Sequence, residues 1–429
     1  MQRDHQREMV SCYGNTGPEC CPRLYIWSQW LVTCGIFAFH FIELGMLFLA
    51  ILPLLFFGKW KLSFRLLCFL FIILTVSGVM VVYLGYNTEK TWQQITILTG
   101  FVSGYSIFFS CNRPYLDALF HKYLRLALIV ASLGWLQFFI YVSYGVDIFR
   151  FLYKMGEEWD STYKTGFLRI SSVVGEPGYL AALLIPAFVY YMYSNENCKN
   201  IFQKKCLLLA TILFTVSSAA YGIIGIILLH KFLFHVKSIR IKLLALSTGI
   251  FFVFLLVNLY TEHHAVFSSE TVSKFTESWK GLWEGDPYEY ESLNLSSYAL
   301  LTNVWVAGNA PSRFWGTGIG THSQSYEMLY QSDFEKYGQN KHDAYSLLIR
   351  IYSEFGLLGI IVLGIFLFRN FNPGNTINLA AFFILIFYTL RGGNYFLYGT
   401  IYFFFFYYYS SRQFDSLYSK VETSHLSLP

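Results

Sequence analysis

The sequence predicts an all-α polytopic membrane protein, a bundle of about eleven or twelve transmembrane helices with one large extramembrane loop. Three observations predict it. Of 429 residues, 55% are hydrophobic and only 13% charged, about half the charge that soluble domains carry. Apolar runs recur at close to the ~20 residues a helix needs to cross a bilayer core of roughly 30 Å. Runs such as Leu243–Leu259 show no alternation, which excludes a β-barrel, the other fold that can satisfy its backbone in lipid.

Residues 1–23 form a polar N-terminal segment in which Arg3, Asp4, Arg7, Glu8 and Glu19 are mixed with uncharged polar residues. It lacks the basic start, apolar core and small-residue cleavage site of a signal peptide, so the first apolar run is expected to act as a signal anchor. An N-terminal bundle over 24–260 carries spans at 24–39, 41–57, 64–85, 93–110, 122–145, 177–194, 203–217, 219–235 and 241–260. The first two are either a hairpin around His40–Glu43 or one long tilted helix. Within this bundle lies an external loop, 146–176, and after it a large loop, 261–343. Three further spans, 345–369, 377–391 and 393–410, fill a C-terminal unit over 344–410, and 411–429 is a tail. All eight cysteines precede residue 207 and none lies in either external loop, so the chain is not built on external disulfides. Cys20-Cys21 has no partner pair at zinc-like spacing.

Orientation follows from the basic residues of the short connections. Lys59, Lys61 and Arg65 fall in one, Arg113, Lys122 and Arg125 in a second, Lys199, Lys204 and Lys205 in a third, and Lys237, Arg240 and Lys242 in a fourth. Counting spans puts all four on one side, the cytoplasmic one, and the tail with them. The 146–176 loop, the 261–343 loop and the Arg391-Gly392-Gly393 turn then share the opposite face.

Three constellations on that face carry candidate chemistry. In Arg169-Ile-Ser-Ser-Val-Val-Gly-Glu176-Pro177-Gly178-Tyr179, Pro177 suits the first turn of a helix, whose positive end then points outward, a favourable place for phosphate. Glu176 is either a cap or a partner for an arginine, and Arg169 either a phosphate ligand or an interfacial anchor. The second centres on His342. With a helix starting near Asp343, the residues His342, Ser346, Arg350 and Glu354 fall four apart on one polar stripe. Arg350 and Glu354 are then a structural ion pair or part of a site. A neutral imidazole at His342 can take a proton from a sugar hydroxyl. The third is the helix break Arg391-Gly392-Gly393-Asn394-Tyr395, where the arginine fork suits phosphate or snorkels to the interface. Inside the large loop, the glycine-rich patch Phe314–His322 offers close backbone approach to a ligand, with Arg313 and Lys341 as nearby cations. It is no nucleotide loop, having neither the lysine nor a preceding strand. His263-His264 is expected at an interface.

On these residues the chain resembles the O-antigen polymerase and ligase (Wzy and WaaL) superfamily of membrane glycosyltransferases. The resemblance rests on Arg169 followed by Gly175-Glu176-Pro177-Gly178, on Thr215–Ser218 closing a span, and on Gly316-x-Gly318 late in a large loop. It also rests on His342-Asp-Ala-Tyr345 leading into Glu354-Phe-Gly-Leu-Leu-Gly359, and it covers residues 165–410. It implies a GT-C-like bundle with one large periplasmic loop in a bacterial inner membrane. Such enzymes transfer a growing glycan from undecaprenyl pyrophosphate to a lipid-linked repeat (polymerases) or to lipid A-core (ligases). The resemblance implies no cofactor, metal or nucleic acid, and chain-length-regulator and flippase partners. By resemblance His342 activates the acceptor hydroxyl, while Arg169 and Arg391 grip pyrophosphate. Glu176, Arg313 and Tyr395 complete the expected substrate-binding set. Ala219-Ala220 follow Ser218 where ligases carry an arginine, and residues 296–303 lack another arginine common to relatives, so the polymerase is favoured. A polysaccharide or lipid transporter is the reading from a different class; against it, the chain shows no internal repeat.

Overall fold

The computed structural model describes residues 64–149, 168–194, 199–235, 281, 285–395 and 399–411. Among them every regular element is helical and there is no strand. The expected spans at 24–39, 41–57 and 241–260 lie outside the described residues, as do the N-terminal segment, His263-His264, most of the 146–176 loop and nearly all of the tail.

The helices are α1 (Phe64–Tyr83), α2 (Thr88–Cys111), α3 (Leu116–Tyr144), α4 (Pro177–Tyr193), α5 (Lys199–Phe214) and α6 (Ser218–His235). The large loop contributes α7 (Leu295–Gly308) and α8 (His322–Leu329), and α9 (Leu347–Arg369), α10 (Thr376–Leu390) and α11 (400–411) follow. Their limits follow local chemistry. Asn87, Asn294, Ser346 and Asn375 each accept a backbone N–H of the first turn of α2, α7, α9 and α10, as N-cap residues do. Gly145 ends α3 in the left-handed conformation, φ 68°.

By length and composition alone two helices could cross a membrane, α3 with 29 residues and α9 with 23, the latter counted across a break at Gly356. Only 28% and 22% of their apolar windows are buried, so most of that surface faces outward, unlike a core helix of a soluble protein. The centre of the bundle is α4, buried from Leu180 to Val189 and packed against α3, α5, α6 and α10. Pro186 removes a donor from its middle turn, and Tyr123 Oη donates to the nearby Leu183 carbonyl at 2.6 Å. Aromatic rings join α2 to α11, with Phe109 stacked on Phe405 at 5.7 Å and Tyr105 edge-on to Tyr402 at 6.1 Å.

The structure corrects the expectation of one continuous span over 345–369. Gly356 breaks α9 with φ 63°, ψ −160°. A methyl group on Gly359 would stand 2.9 Å from Ile351 Cγ2 and 3.2 Å from its carbonyl oxygen. Residues eight apart in a straight helix are about 12 Å apart along the axis. The upper arm (347–355) is therefore folded sharply against the lower arm (357–369).

The glycine-rich patch fills this break. Leu357 N and Leu358 N donate to the carbonyls of Arg313 and Phe314, while Thr317 N and Gly318 N donate to those of Ser353 and Glu354, at 2.8–3.1 Å. The backbone groups freed at the break are thereby paired, as they must be wherever water is excluded. A Cβ on Gly316 would lie 2.4 Å from Glu354 backbone, and one on Gly356 would lie 2.3 Å from Phe314 O. The close approach that the glycine-rich patch was expected to offer a ligand is made within the protein, by Gly316 to the α9 backbone, by Gly318 to Ser77 and Val81 of α1 and by Gly320 to Gln94 of α2.

The large loop is itself folded. Tyr290, Tyr298, Leu301, Val306, Tyr326 and Tyr330 form a small core between α7 and α8. The loop docks on the α1–α2 turn through Tyr86 Oη and Ser325 Oγ (3.0 Å) and Asn87 N to Gln324 Oε1 (2.7 Å).

Candidate functional site

The turn before α9 is unusual in its backbone. Asn340, Ala344 and Tyr345 all have positive φ, a conformation costly outside glycine and common where function constrains the chain. Asp343 holds it, its Oδ1 accepting from Asn340 Nδ2 at 3.0 Å and from Tyr345 N at 3.2 Å. Lys341 ties the turn to α8 by an ion pair with Glu327 at 2.9 Å.

This geometry overturns the single stripe expected of His342, Ser346, Arg350 and Glu354. The helix starts at Leu347, not near Asp343; Ser346 is its cap and His342 lies outside it. Between Lys341 and Asp343 the His342 side chain is exposed. Desolvation by the surrounding loop, then the cations of Lys341 and Lys90, hold its pKa below the ordinary histidine value. It is therefore neutral near pH 7, with a lone pair available.

Against this turn packs the break after α10. Gly392 N donates to Tyr345 O at 2.9 Å, and a methyl group on Gly393 would overlap Asp343 O at 1.6 Å. The Arg391 guanidinium lies over the Tyr345 ring, 4.1 Å from its centroid, within electrostatic reach of Glu176, Tyr179 and Asp343. Three segments far apart in sequence thus meet around one arginine: 176–179, 343–346 and 391–393.

Glu176 is the N-cap residue of α4, but its side chain makes no capping hydrogen bond. A Cβ on Gly178 would lie 3.5 Å from Glu176 Oε1 and 3.9 Å from Ser217 Oγ, and the Glu176 carboxylate acts electrostatically on Arg391. Arg169 Nε and Nη2 donate to the carbonyls of Thr215 (3.0 Å) and Val216 (3.1 Å), closing the C-terminal end of α5. The Arg169 and Glu176 segments therefore flank the same 215–217 turn.

Arg350, Glu354 and Tyr395 form a separate buried network. Arg350 Nε pairs with Glu354 Oε1 at 3.1 Å, its Nη1 donates to Gly393 O at 3.0 Å, and its guanidinium covers the Tyr395 ring at 4.1 Å. Tyr395 Oη donates to Glu354 Oε2 at 2.9 Å. Tyr395, expected in the substrate set, is thus engaged inside the fold. The Arg313 side chain is exposed beside the α9 break, where its carbonyl accepts from Leu357 N. An aromatic in the large loop either offers a face to a sugar ring or packs the loop; Tyr326 and Tyr330 are core residues, whereas Phe314 and Trp315 are exposed.

One residue that sequence reasoning passed over joins α7, α8 and α9. His322 is buried, with Nε2 2.8 Å from Asn303 Oδ1 and Nδ1 2.9 Å from Ser353 Oγ. Asn303 Nδ2 donates to Ala299 O and Gln339 O, so its Oδ1 is the acceptor and the proton resides on His322 Nε2. The Ser353 hydroxyl then donates to Nδ1. Only its place after a glycine-rich run marked His322 in the sequence.

Burial, then the Arg350 cation, hold the His322 pKa down to about 3, so the fold binds the neutral ring. The unfolded chain takes up this proton below about pH 6.5, and stability falls by up to ~1.4 kcal/mol per pH unit from there toward pH 3. The expected result is a melting temperature that drops more steeply between pH 6.5 and 4.5 in the wild type than in His322→Gln, which keeps a donor and an acceptor but cannot titrate. Parallel slopes in thermal unfolding would rule out this role.

Among the described residues no group of three or more His, Cys, Asp or Glu side chains could hold a metal ion. No family model matches the chain, and no curated protein or solved structure matches it.

Proposed function

We propose that this chain is a polysaccharide polymerase of a bacterial inner membrane. It transfers a growing glycan from undecaprenyl pyrophosphate to the non-reducing end of a lipid-linked repeat on the periplasmic face. The observation that carries the reading is the meeting of 176–179, 343–346 and 391–393 around Arg391, in a bundle whose helices expose large apolar side chains. Exposed side chains such as Phe71, Phe139, Phe234 and Ile365 suit a lipid environment and would be costly in water.

In this proposal the acceptor hydroxyl attacks the anomeric carbon while the bond from that carbon to the pyrophosphate oxygen breaks, inverting the centre. The hydroxyl proton passes to the neutral ring of His342. The electron pair of the broken bond goes to pyrophosphate, whose developing charge is met by Arg391 and by the amide end of α4. Glu176 orients Arg391, and Arg169 positions the 215–217 turn beside it.

The test is gene deletion and complementation with glycan electrophoresis. A deletion strain should lose the polymer ladder while keeping a single attached repeat; loss of all attached glycan, with polymer left on the lipid carrier, would identify a ligase. His342→Ala, inserted at normal levels, should lower polymer formation by about 10²–10⁴-fold, the usual contribution of a general base. Long chains at wild-type rates from that variant would overturn the assignment.

The break at Gly356 also favours a second reading, a polysaccharide or lipid transporter, because transporters use discontinuous helices. Here, though, the break is filled by loop backbone. Purified protein that lengthens a lipid-linked oligosaccharide in detergent, without an ion gradient, excludes the transporter.

A further inference from the structure

The side of α9 where its two arms meet carries three residues with no part in the cluster above: Arg313, Phe314 and Trp315. Phe314 is 50% exposed and Trp315 46%, and their rings meet edge to face at 5.1 Å. Exposed rings on a free loop would mean little, but these are held rigidly. The Arg313 and Phe314 carbonyls accept from Leu357 N and Leu358 N, and Gly316 is pressed against the Glu354 backbone. From this point an exposed apolar row, Leu357, Ile361, Ile365 and Phe368, runs down the lower arm. Spacings of four, four and three keep that row on one helix face. The exposed Arg313 stands at its upper end.

We propose that Arg313-Phe314-Trp315 is an interfacial wedge that seats the large loop in the outer leaflet, with Arg313 on the headgroup of an anionic phospholipid. Tryptophan and its aromatic neighbours favour headgroup depth, where the ring is half in hydrocarbon and half in water. A cation at that depth is attracted to anionic lipid. The order along the structure is arginine, aromatic pair, then aliphatic row, which is the order of headgroup, interface and acyl chain.

The consequence concerns depth. The outer edge of the hydrocarbon lies at Gly356 rather than at Ser346, so that only the lower arm of α9 crosses it. The Arg350–Glu354 pair then sits at or above the interface, where an ionisable pair is far less costly than at mid-bilayer. The lower arm, residues 357–369, is about 20 Å long at 1.5 Å per residue, shorter than a typical ~30 Å core. The leaflet must thin locally to meet it.

This inference rests on the membrane placement of the proposed function but not on its chemistry. The test uses full-length protein with a benzophenone amino acid at Phe314, reconstituted in phosphatidylcholine vesicles containing a minority of phosphatidylglycerol. Irradiation should yield lipid adducts, with phosphatidylglycerol enriched at least twofold over its bulk fraction, and Arg313→Glu in the same protein should abolish the enrichment. Trp315→Phe should remove a component of tryptophan fluorescence that bromines near the headgroup quench at least twofold more than bromines near the chain end. Three outcomes overturn the wedge: no lipid adducts, adducts at the bulk lipid ratio, or a Trp315 component quenched only by aqueous iodide or best by deep bromines. A protein that resists alkaline extraction and makes polymer yet gives one of these results refutes the wedge alone; one that never integrates refutes the membrane reading itself.

Discussion

Gly393→Ala is expected to destroy the junction between the two helix breaks. The added methyl would lie 1.6 Å from Asp343 O, 2.8 Å from its carbonyl carbon and 2.9 Å from Ser346 O. All three are backbone atoms, so no side chain can swing away to make room. The segments 343–346 and 391–395 would have to separate. With them would go the Gly392–Tyr345 hydrogen bond, the stacking of Arg391 on Tyr345, and the bond from Arg350 Nη1 to Gly393 O. A loss on the order of 3–5 kcal/mol is expected, above the usual range for overpacking because hydrogen bonds are lost as well. Under the proposed function, polymer formation should fall to background with it. Gly78→Ala and Gly100→Ala, whose added methyl groups meet nothing within 4 Å, are the matched controls in helices. Thermal unfolding in detergent decides the matter: a Gly393→Ala protein melting with the wild type would mean that the two segments do not pack this way.

Glu354→Ala should be the most damaging single change in the buried polar network. Among the described residues it leaves the Arg350 guanidinium buried with the Gly393 carbonyl, the Tyr395 ring and the charge of Asp343, and it removes the hydrogen bond from Tyr395 Oη to Glu354. Removing one partner of a buried pair costs about 3–5 kcal/mol, because the remaining charge is stranded away from water. Removing both charges is far milder, so Arg350→Met with Glu354→Leu should recover most of the loss. That non-additivity separates a stranded charge from a lost contact. If the double variant melts no higher than Glu354→Ala, the pair is not the buried unit described. The comparison also bears on the proposed function: a purely structural pair predicts that polymer synthesis follows folded protein in both variants.

Legibility differed by element. The ends of α4 and α10 were close to readable because proline at a first turn and an asparagine cap act within a few residues, whereas α2 starts at Thr88, five residues before the expected 93. The α9 error has the opposite cause. Apart from Arg350, Ser353 and Glu354, Leu347–Phe368 is largely apolar and good helix sequence, so nothing local signals that it folds back on itself. Gly356 permits the bend, but the partner that satisfies the opened backbone is the 313–318 strip, some forty residues earlier in the chain. Likewise His342 and Glu354 looked like one stripe because spacing alone assumes a continuous helix, whereas Ala344 and Tyr345 take positive φ between them. Tyr326 and Tyr330 looked like sugar platforms because an aromatic in a polar loop carries no mark of whether it is covered.

From its residues alone this chain was bound to be helical and apolar on its outside. With so few charges and such long apolar runs, a backbone excluded from water can satisfy itself only by local hydrogen bonds. The sequence also marked Arg169, Glu176, His342 and Arg391 as polar groups where apolar runs end. What it left open was which of them would meet. Packing decided that: the close approach of Gly393 to Asp343 put Arg391 beside Tyr345, Asp343 and Glu176. It likewise turned Arg350, Glu354 and Tyr395 inward as a closed network. A hydrogen bond within a helix is set by residues four apart, but contact between segments more than two hundred residues apart depends on the shapes of everything packed between them.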